Sequence, residues 1–80
     1  MTTQTSQNSS PTVQPQGSHH YVMTVELPGR AMQSVYGTWT PPQGATRHDV
    51  FMAIKADIGR QDPEMSRANV VFFSLEPNQL

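Results

Sequence analysis

The sequence predicts an α+β fold, a two-layer sandwich in which three strands form one sheet and a single helix packs on one face of it. Three observations predict it: two early segments with alternating apolar residues, a central apolar stripe at helical spacing, and an apolar run near the C-terminus. The order of elements is strand, strand, helix, strand. If the helix returns the chain to the starting end, the third strand pairs beside the first, which gives a mainly antiparallel sheet of order 2-1-3.

The first two strands are predicted at residues 21–27 and about 31–40, where apolar residues recur with period two. Pro28-Gly29 separates them and favours a type II turn, because proline presets the second turn position and glycine accepts a positive φ at the third. Gly37, in the middle of the second strand, marks either a bulge or a place where a bulky neighbour needs room. Trp39 falls on the inward face of this strand and is predicted to lie in the core.

A helix is predicted at about residues 46–60. Thr46 and Asp49 have the spacing of a capping box at its start, and Gly59 suits the position that follows a helix end. One apolar stripe then recurs at spacings of three and four: Val50, Phe51, Ile54 and Ile58. Asp62-Pro63-Glu64 carries the start signals of a further short turn of helix at 63–67.

The last strand is predicted at Asn69 to Leu75, before Pro77 ends it. The order of elements is similar to the opening half of ubiquitin-like β-grasp domains, and the similarity is one of architecture only. The chain ends Asn78-Gln79-Leu80 and does not carry the di-glycine that ubiquitin-type conjugation needs.

The chain divides into a polar tail and one small domain. Residues 1–18 contain no charged side chain, and twelve of the eighteen are Gln, Thr or Ser, so the tail is predicted to be disordered. The remaining residues, 19–80, hold 26 of the 28 hydrophobic residues and form the predicted α+β domain. A domain this short leaves no room for a large enclosed active site. It buries only about 60% of its unfolded surface, so we expect its stability to be marginal.

Charge and cysteine content narrow the classes of function. Five basic residues against six acidic ones give a net charge of −1, which disfavours nucleic acid as the main partner. With no cysteine, no readable signal peptide and no apolar run near the ~20 residues of a membrane span, we expect a soluble cytoplasmic protein without disulfides. The basic residues around the helix are interleaved with acids, and weak nucleic-acid binding through them is the alternative function.

The sequence gives little sign of catalysis or of metal binding. His19-His20 and His48-Asp49 are the only histidine groupings, and neighbouring side chains point in different directions, so neither supplies convergent ligands or a nucleophile with its base. We therefore expect no catalytic, cofactor or metal site.

The last strand carries the main indication of function. A sheet covered by one helix buries one face, yet this strand is apolar on both, so strict alternation leaves either Val70 and Phe72 or Val71 and Phe73 exposed. Val22 and Tyr36 lie on the same outer face. We expect a small non-catalytic module that binds a protein partner, or itself as a homodimer, through this face or an edge strand. Its predicted contact residues are Val22, Tyr36, Val70, Phe72 and Phe73. The competing prediction is that the tail, the 41–45 loop or the C-terminal residues cover the face.

Overall fold

A computed structural model describes residues 15–80 and contains three strands and one α-helix. The elements in chain order are β1 (His19–Leu27), β2 (Ala31–Trp39), α1 (Arg47–Gln61), a 3-10 helix (Pro63–Arg67) and β3 (Asn69–Pro77). The predicted order of strands and helices is therefore confirmed. Each strand is nine residues long, and the first and last extend about two residues beyond the predicted bounds.

The sheet has the order β2-β1-β3, with β1 antiparallel to both neighbours. β2 and β3 therefore run in the same direction on either side of β1, as predicted. The β1–β2 register is continuous from the Leu27–Ala31 pair to the His19–Trp39 pair. The β1–β3 register shifts by one residue between Thr24 and Val25.

The β1–β2 hairpin follows the turn chemistry of its sequence. Gly29 has a φ of 76°, and the Arg30 amide donates to the Leu27 carbonyl oxygen at 2.9 Å, as a type II turn requires. Further along β2, a Cβ on Gly37 would lie 3.4 Å from the hydroxyl oxygen of Tyr21. That distance is an ordinary van der Waals contact, and the unbroken register excludes a bulge at Gly37, so neither role predicted for this glycine is required by the structure.

Helix α1 begins with the predicted capping box. The Asp49 amide donates to the Thr46 hydroxyl at 3.1 Å, and the Thr46 amide donates to the Asp49 carboxylate at 3.0 Å. The predicted C-terminal signal at Gly59 was wrong, since the helix continues to Gln61. Gly59 instead lies beside the 3-10 helix, where a Cβ would come within 3.1 Å of the Ser66 side chain, so it allows close packing of the two helices.

The core lies between α1 and the inner face of the sheet. Its buried residues come from β1, α1, the 3-10 segment and β3: Met23, Val25, Leu27, Val50, Ile54, Ile58, Met65, Ala68 and Leu75. β2 contributes none of them. Its inward residues Val35 and Trp39 are only partly buried and pack against the margin of this cluster.

Residues 16–18 lie against one end of the sheet. The Gly17 amide donates to the Thr38 hydroxyl at 2.9 Å, and the Asn78 amide donates to the Ser18 carbonyl oxygen at 2.9 Å. A Cβ on Gly17 would come within 2.7 Å of the Trp39 backbone, so only glycine allows this approach. Most of the predicted disordered tail, residues 1–14, lies outside the described residues.

We expect Ile54→Ala to lower the free energy of unfolding by about 2–5 kcal/mol, because Ile54 is 1% exposed and its truncation leaves a cavity. Met52→Ala, on the half-exposed face of the same helix, is the matched control and should change it by about 0.5 kcal/mol or less. Urea unfolding followed by the fluorescence of Trp39 measures both. Equal losses in the two variants would contradict the described packing of α1.

Candidate interaction surface

The outer face of the sheet carries a continuous apolar stripe across all three strands. Tyr36 on β2 lies directly opposite Val22 on β1, and Phe72 on β3 lies opposite Thr24, one pleat away from Val22. Directly opposed and diagonal neighbours on one sheet face are within reach of each other's side chains. Tyr36 is 74% exposed and Phe72 is 54% exposed, while Val22 is half-buried between them. We call these three residues the outer stripe.

A β-bulge determines which apolar residues of β3 reach this face. Thr24 pairs with Phe72 and Val25 pairs with Val70, so Val71 is an extra residue without its own partner on β1. Val70 and Phe73 consequently both pack against the core, and Val71 and Phe72 are both exposed. Strict alternation predicted one of two other pairings, and the bulge is the reason that neither occurs.

The structure therefore divides the five predicted contact residues into two groups. Val22, Tyr36 and Phe72 share the outer face as the outer stripe. Val70 and Phe73 lie on the opposite face. The Phe73 ring meets Phe51 of α1 edge to face, with centroids 5.3 Å apart and planes at 80°.

The surroundings of the outer stripe are polar, and the exposed His20 lies on the same face. Thr24 and Ser34 share a hydrogen bond of 2.7 Å between their hydroxyls, and Glu26 and Glu76 are on the same strands. None of the three strands contains lysine or arginine. The sheet side of the domain thus combines exposed aromatic and aliphatic groups with neutral or acidic ones.

The basic residues lie away from the strands, in the hairpin turn, α1 and the 3-10 helix. Several are engaged with neighbours: Arg60 pairs with Asp57 at 2.8 Å, Arg30 pairs with Glu64, and the Lys55 ammonium donates to the Ser66 carbonyl oxygen at 3.3 Å. These contacts are on exposed side chains and contribute little to stability. They do reduce the positive charge that this side presents to a ligand.

An open groove lies between the Trp39 end of β2, the 40–45 loop and the first half of α1. Its volume is about 540 Å³, and Trp39, Pro42, Ala45, Val50 and Ala53 line it together with Asp49. Trp39, predicted to lie in the core, is half-buried and meets Tyr21 edge to face at 6.1 Å. Burial, reinforced by the nearby Asp57 carboxylate, raises the pKa of the Tyr21 hydroxyl. Sequence patterns missed this groove because it arises from incomplete covering of β2, which no local pattern reports.

The histidines lie in separate places. The Nδ1 atom of His19 shares a hydrogen bond of 2.8 Å with the Ser18 hydroxyl. His48 stacks on Phe51, with ring centroids 6.0 Å apart. Within residues 15–80 no group of three or more potential ligands converges on a metal position.

Comparison with known proteins finds no match: no family model, no curated protein and no solved structure is similar to this chain. Among the residues described, no helix is both long and apolar enough to cross a membrane.

Truncation of the two neighbouring phenylalanines of β3 should lower the free energy of unfolding by very different amounts. We expect Phe73→Ala to lower the free energy of unfolding by about 2–4 kcal/mol, because it removes a ring packed on Phe51 and the core. Phe72→Ala should change it by about 0.5 kcal/mol or less, because this ring is 54% exposed. Urea unfolding of the pair measures the difference. A larger loss in the Phe72 variant would contradict the described bulge.

The capping box predicts how stability depends on pH. Hydrogen bonds from the Thr46 amide, and then its hydroxyl, hold the pKa of Asp49 below its usual value of about 3.9. A depressed pKa contributes stability above the unfolded-state value, and this contribution is lost as the pH falls through the folded-state value. Wild type should therefore exceed Asp49→Asn in stability at pH 6, and the two should converge as the pH falls below the folded-state pKa of Asp49. Urea midpoints across this range measure it, and a difference that is constant with pH would contradict it.

Proposed function

We propose that this protein is a small non-catalytic protein-interaction module that binds its partner through the outer stripe. The observation that carries the proposal is the exposure of Tyr36 and Phe72 on one face, joined by Val22. Burying a phenylalanine is worth roughly 1.5–3 kcal/mol relative to leaving it exposed, so a partner that covers the stripe gains a substantial free energy. Aromatic residues at the centre of a contact commonly dominate its affinity.

The location of charge favours a protein partner over nucleic acid. Bases stack on exposed aromatic side chains when nearby cations bind the phosphates. Here Tyr36 and Phe72 project from a sheet whose strands hold no lysine or arginine, and Glu26 and Glu76 lie on those strands. Four of the five lysine and arginine residues belong to α1 and the 3-10 helix, on the other layer of the domain, and the fifth, Arg30 in the hairpin turn, pairs with Glu64. The two groups that nucleic-acid binding must combine are therefore separated, which supports protein binding over the alternative.

The proposal is tested by capturing binding proteins on three immobilised forms of this protein: wild type, Phe72→Ser and Met52→Ser. Phe72→Ser removes an outer-stripe ring, while Met52→Ser removes a comparably exposed apolar side chain from α1. We expect one or more proteins to bind wild type and the Met52 variant, with affinity for the Phe72 variant about 30-fold lower, since a central aromatic contributes about 2 kcal/mol. A capture pattern that is unchanged by Phe72→Ser would contradict the proposal.

A nucleic-acid titration separates the alternative function. Single-stranded DNA and RNA oligonucleotides added at low salt should leave the Trp39 fluorescence and the mass of the protein unchanged. Binding that weakens steeply with salt would show that phosphate contacts drive it. That outcome would favour the alternative function and contradict protein binding as the main role.

A further inference from the structure

The two edge strands of the sheet, β2 and β3, differ in how well they are protected from pairing with another chain. β2 and β3 each have one side without a strand neighbour among residues 15–80. Such an edge presents unpaired N–H and C=O groups to any chain that can pair with them. Natural proteins protect edges with charged side chains, prolines, bulges or short strands.

β3 carries several of these devices. A bulge at Val71 interrupts its regular pairing, Glu76 adds a charge, and Pro77 removes a backbone donor at its end. β2 carries none of them. It is nine residues long, contains neither a charged residue nor a proline, and pairs with β1 in unbroken register. The sheet therefore has one protected edge and one open edge.

We infer that the open edge pairs with the β2 strand of a second copy of this chain, so that two sheets join into one six-stranded antiparallel sheet. This inference rests on the proposed function in that it names one binding partner. The asymmetry of the edges argues for a second copy. A two-fold contact uses both open edges at once and leaves only the two protected β3 edges, so assembly stops at the dimer. Two open edges on each copy would instead allow a growing fibre.

The composition of β2 suits pairing with itself. Identical antiparallel strands bring like residues near the two-fold axis, where like charges would repel, and β2 holds no charge. The register centred on Val35 is the one that pairs all nine residues with all nine. It sets Val35 opposite Val35 of the second copy and Ser34 opposite Tyr36. Inward residues then face inward residues, and both α1 helices lie on the same side of the joined sheet.

A stable contact along β2 requires more of the strand than its backbone. Nine residues extend about 30 Å at ~3.4 Å per residue. A stable interface needs about 800 Å² from each partner, so both faces of the strand must contribute besides the backbone. Tyr36 and Met32, 74% and 63% exposed, supply the outer face, and half-buried Val35 and Trp39 supply the inner one. The pairing also brings the two outer stripes together at their Tyr36 ends.

Disulfide trapping tests the register, because the chain contains no cysteine of its own. In the proposed dimer, cysteines introduced as Val35→Cys lie directly opposite, about 4.5–5.5 Å apart between Cα atoms, within the range that a disulfide spans. Met32→Cys, on the same strand, places its two cysteines six residues apart, about 20 Å. Val71→Cys reports the other edge. We expect mild oxidation to cross-link the Val35 variant and neither control.

Light scattering of the full wild-type chain, from about 10 μM to 1 mM, should give a dimer mass at the upper end. Gln33→Lys places an inward-facing charge beside the axis, and should weaken the dimer by about tenfold or more. The matched Asn69→Lys, exposed at the β3 edge, should leave it within about twofold. If Gln33→Lys fails to fold, the cysteine variants and the wild-type mass still decide the matter.

A wild-type monomer at about 1 mM, or equal cross-linking at all three positions, would overturn β2 pairing. A dimer that cross-links at Val71 and not at Val35 would overturn it as well, because the contact would then involve β3. These results do not affect the capture of a partner through Phe72, because Phe72 lies on β3, on the other side of β1 from the proposed contact. Failure of the dimer and failure of the proposed function are therefore distinguishable.

Discussion

A single fifteen-residue helix covers a three-stranded sheet, and this contact determines which surfaces of the domain remain open. The fully buried side chains of the sheet come from the central strand, Met23, Val25 and Leu27, with Leu75 from β3. β2 contributes none, so its hydrogen bonds to β1 and the partial packing of Val35 and Trp39 hold it in place. A helix is about 10 Å wide and neighbouring strands are about 4.8 Å apart, so one helix covers two strands well and a third incompletely. That shortage leaves Val35 and Trp39 of β2 only partly buried. The unpaired edge of β2 follows instead from its place at the end of the strand order β2-β1-β3.

The bulge at Val71 connects the interior of the domain to its surface. Four apolar residues in succession, Val70 to Phe73, cannot all face the core by alternation, and a regular strand would send one phenylalanine and one valine to each side in a fixed order. The extra residue lets Val70 and Phe73 both join the core, although they are three residues apart. The same irregularity exposes Phe72 next to Val22 and interrupts the β3 edge. One local deviation thus improves packing, completes the outer stripe and protects an edge.

Local chemistry was sufficient to predict most of the fold and only part of the surface. The Pro28-Gly29 turn and the Thr46–Asp49 capping box are short-range signals, and both occur as predicted. Gly59 was misread because glycine serves equally at a helix end and at a close helix contact, and only the position of Ser66 distinguishes them. Alternation could not decide which apolar residues of β3 face the core, because the bulge that brings Val70 and Phe73 to the same side depends on pairing across the sheet. The outer position of Val22 and Tyr36 was predictable from period-two alternation. The outer position of Phe72 depends on the bulge, and the open edge of β2 depends on the strand order.

Folding and association are linked in a domain this small. The core holds nine buried hydrophobic residues, while Tyr36, Phe72 and Met32 remain largely in water. A partner that binds only the folded state adds its binding free energy to the stability of that state. Because the strands carry no lysine or arginine, a neutral protein surface can approach them without removing cations from water, which is costly. The surface left uncovered by one helix is therefore also the surface through which association can most increase stability.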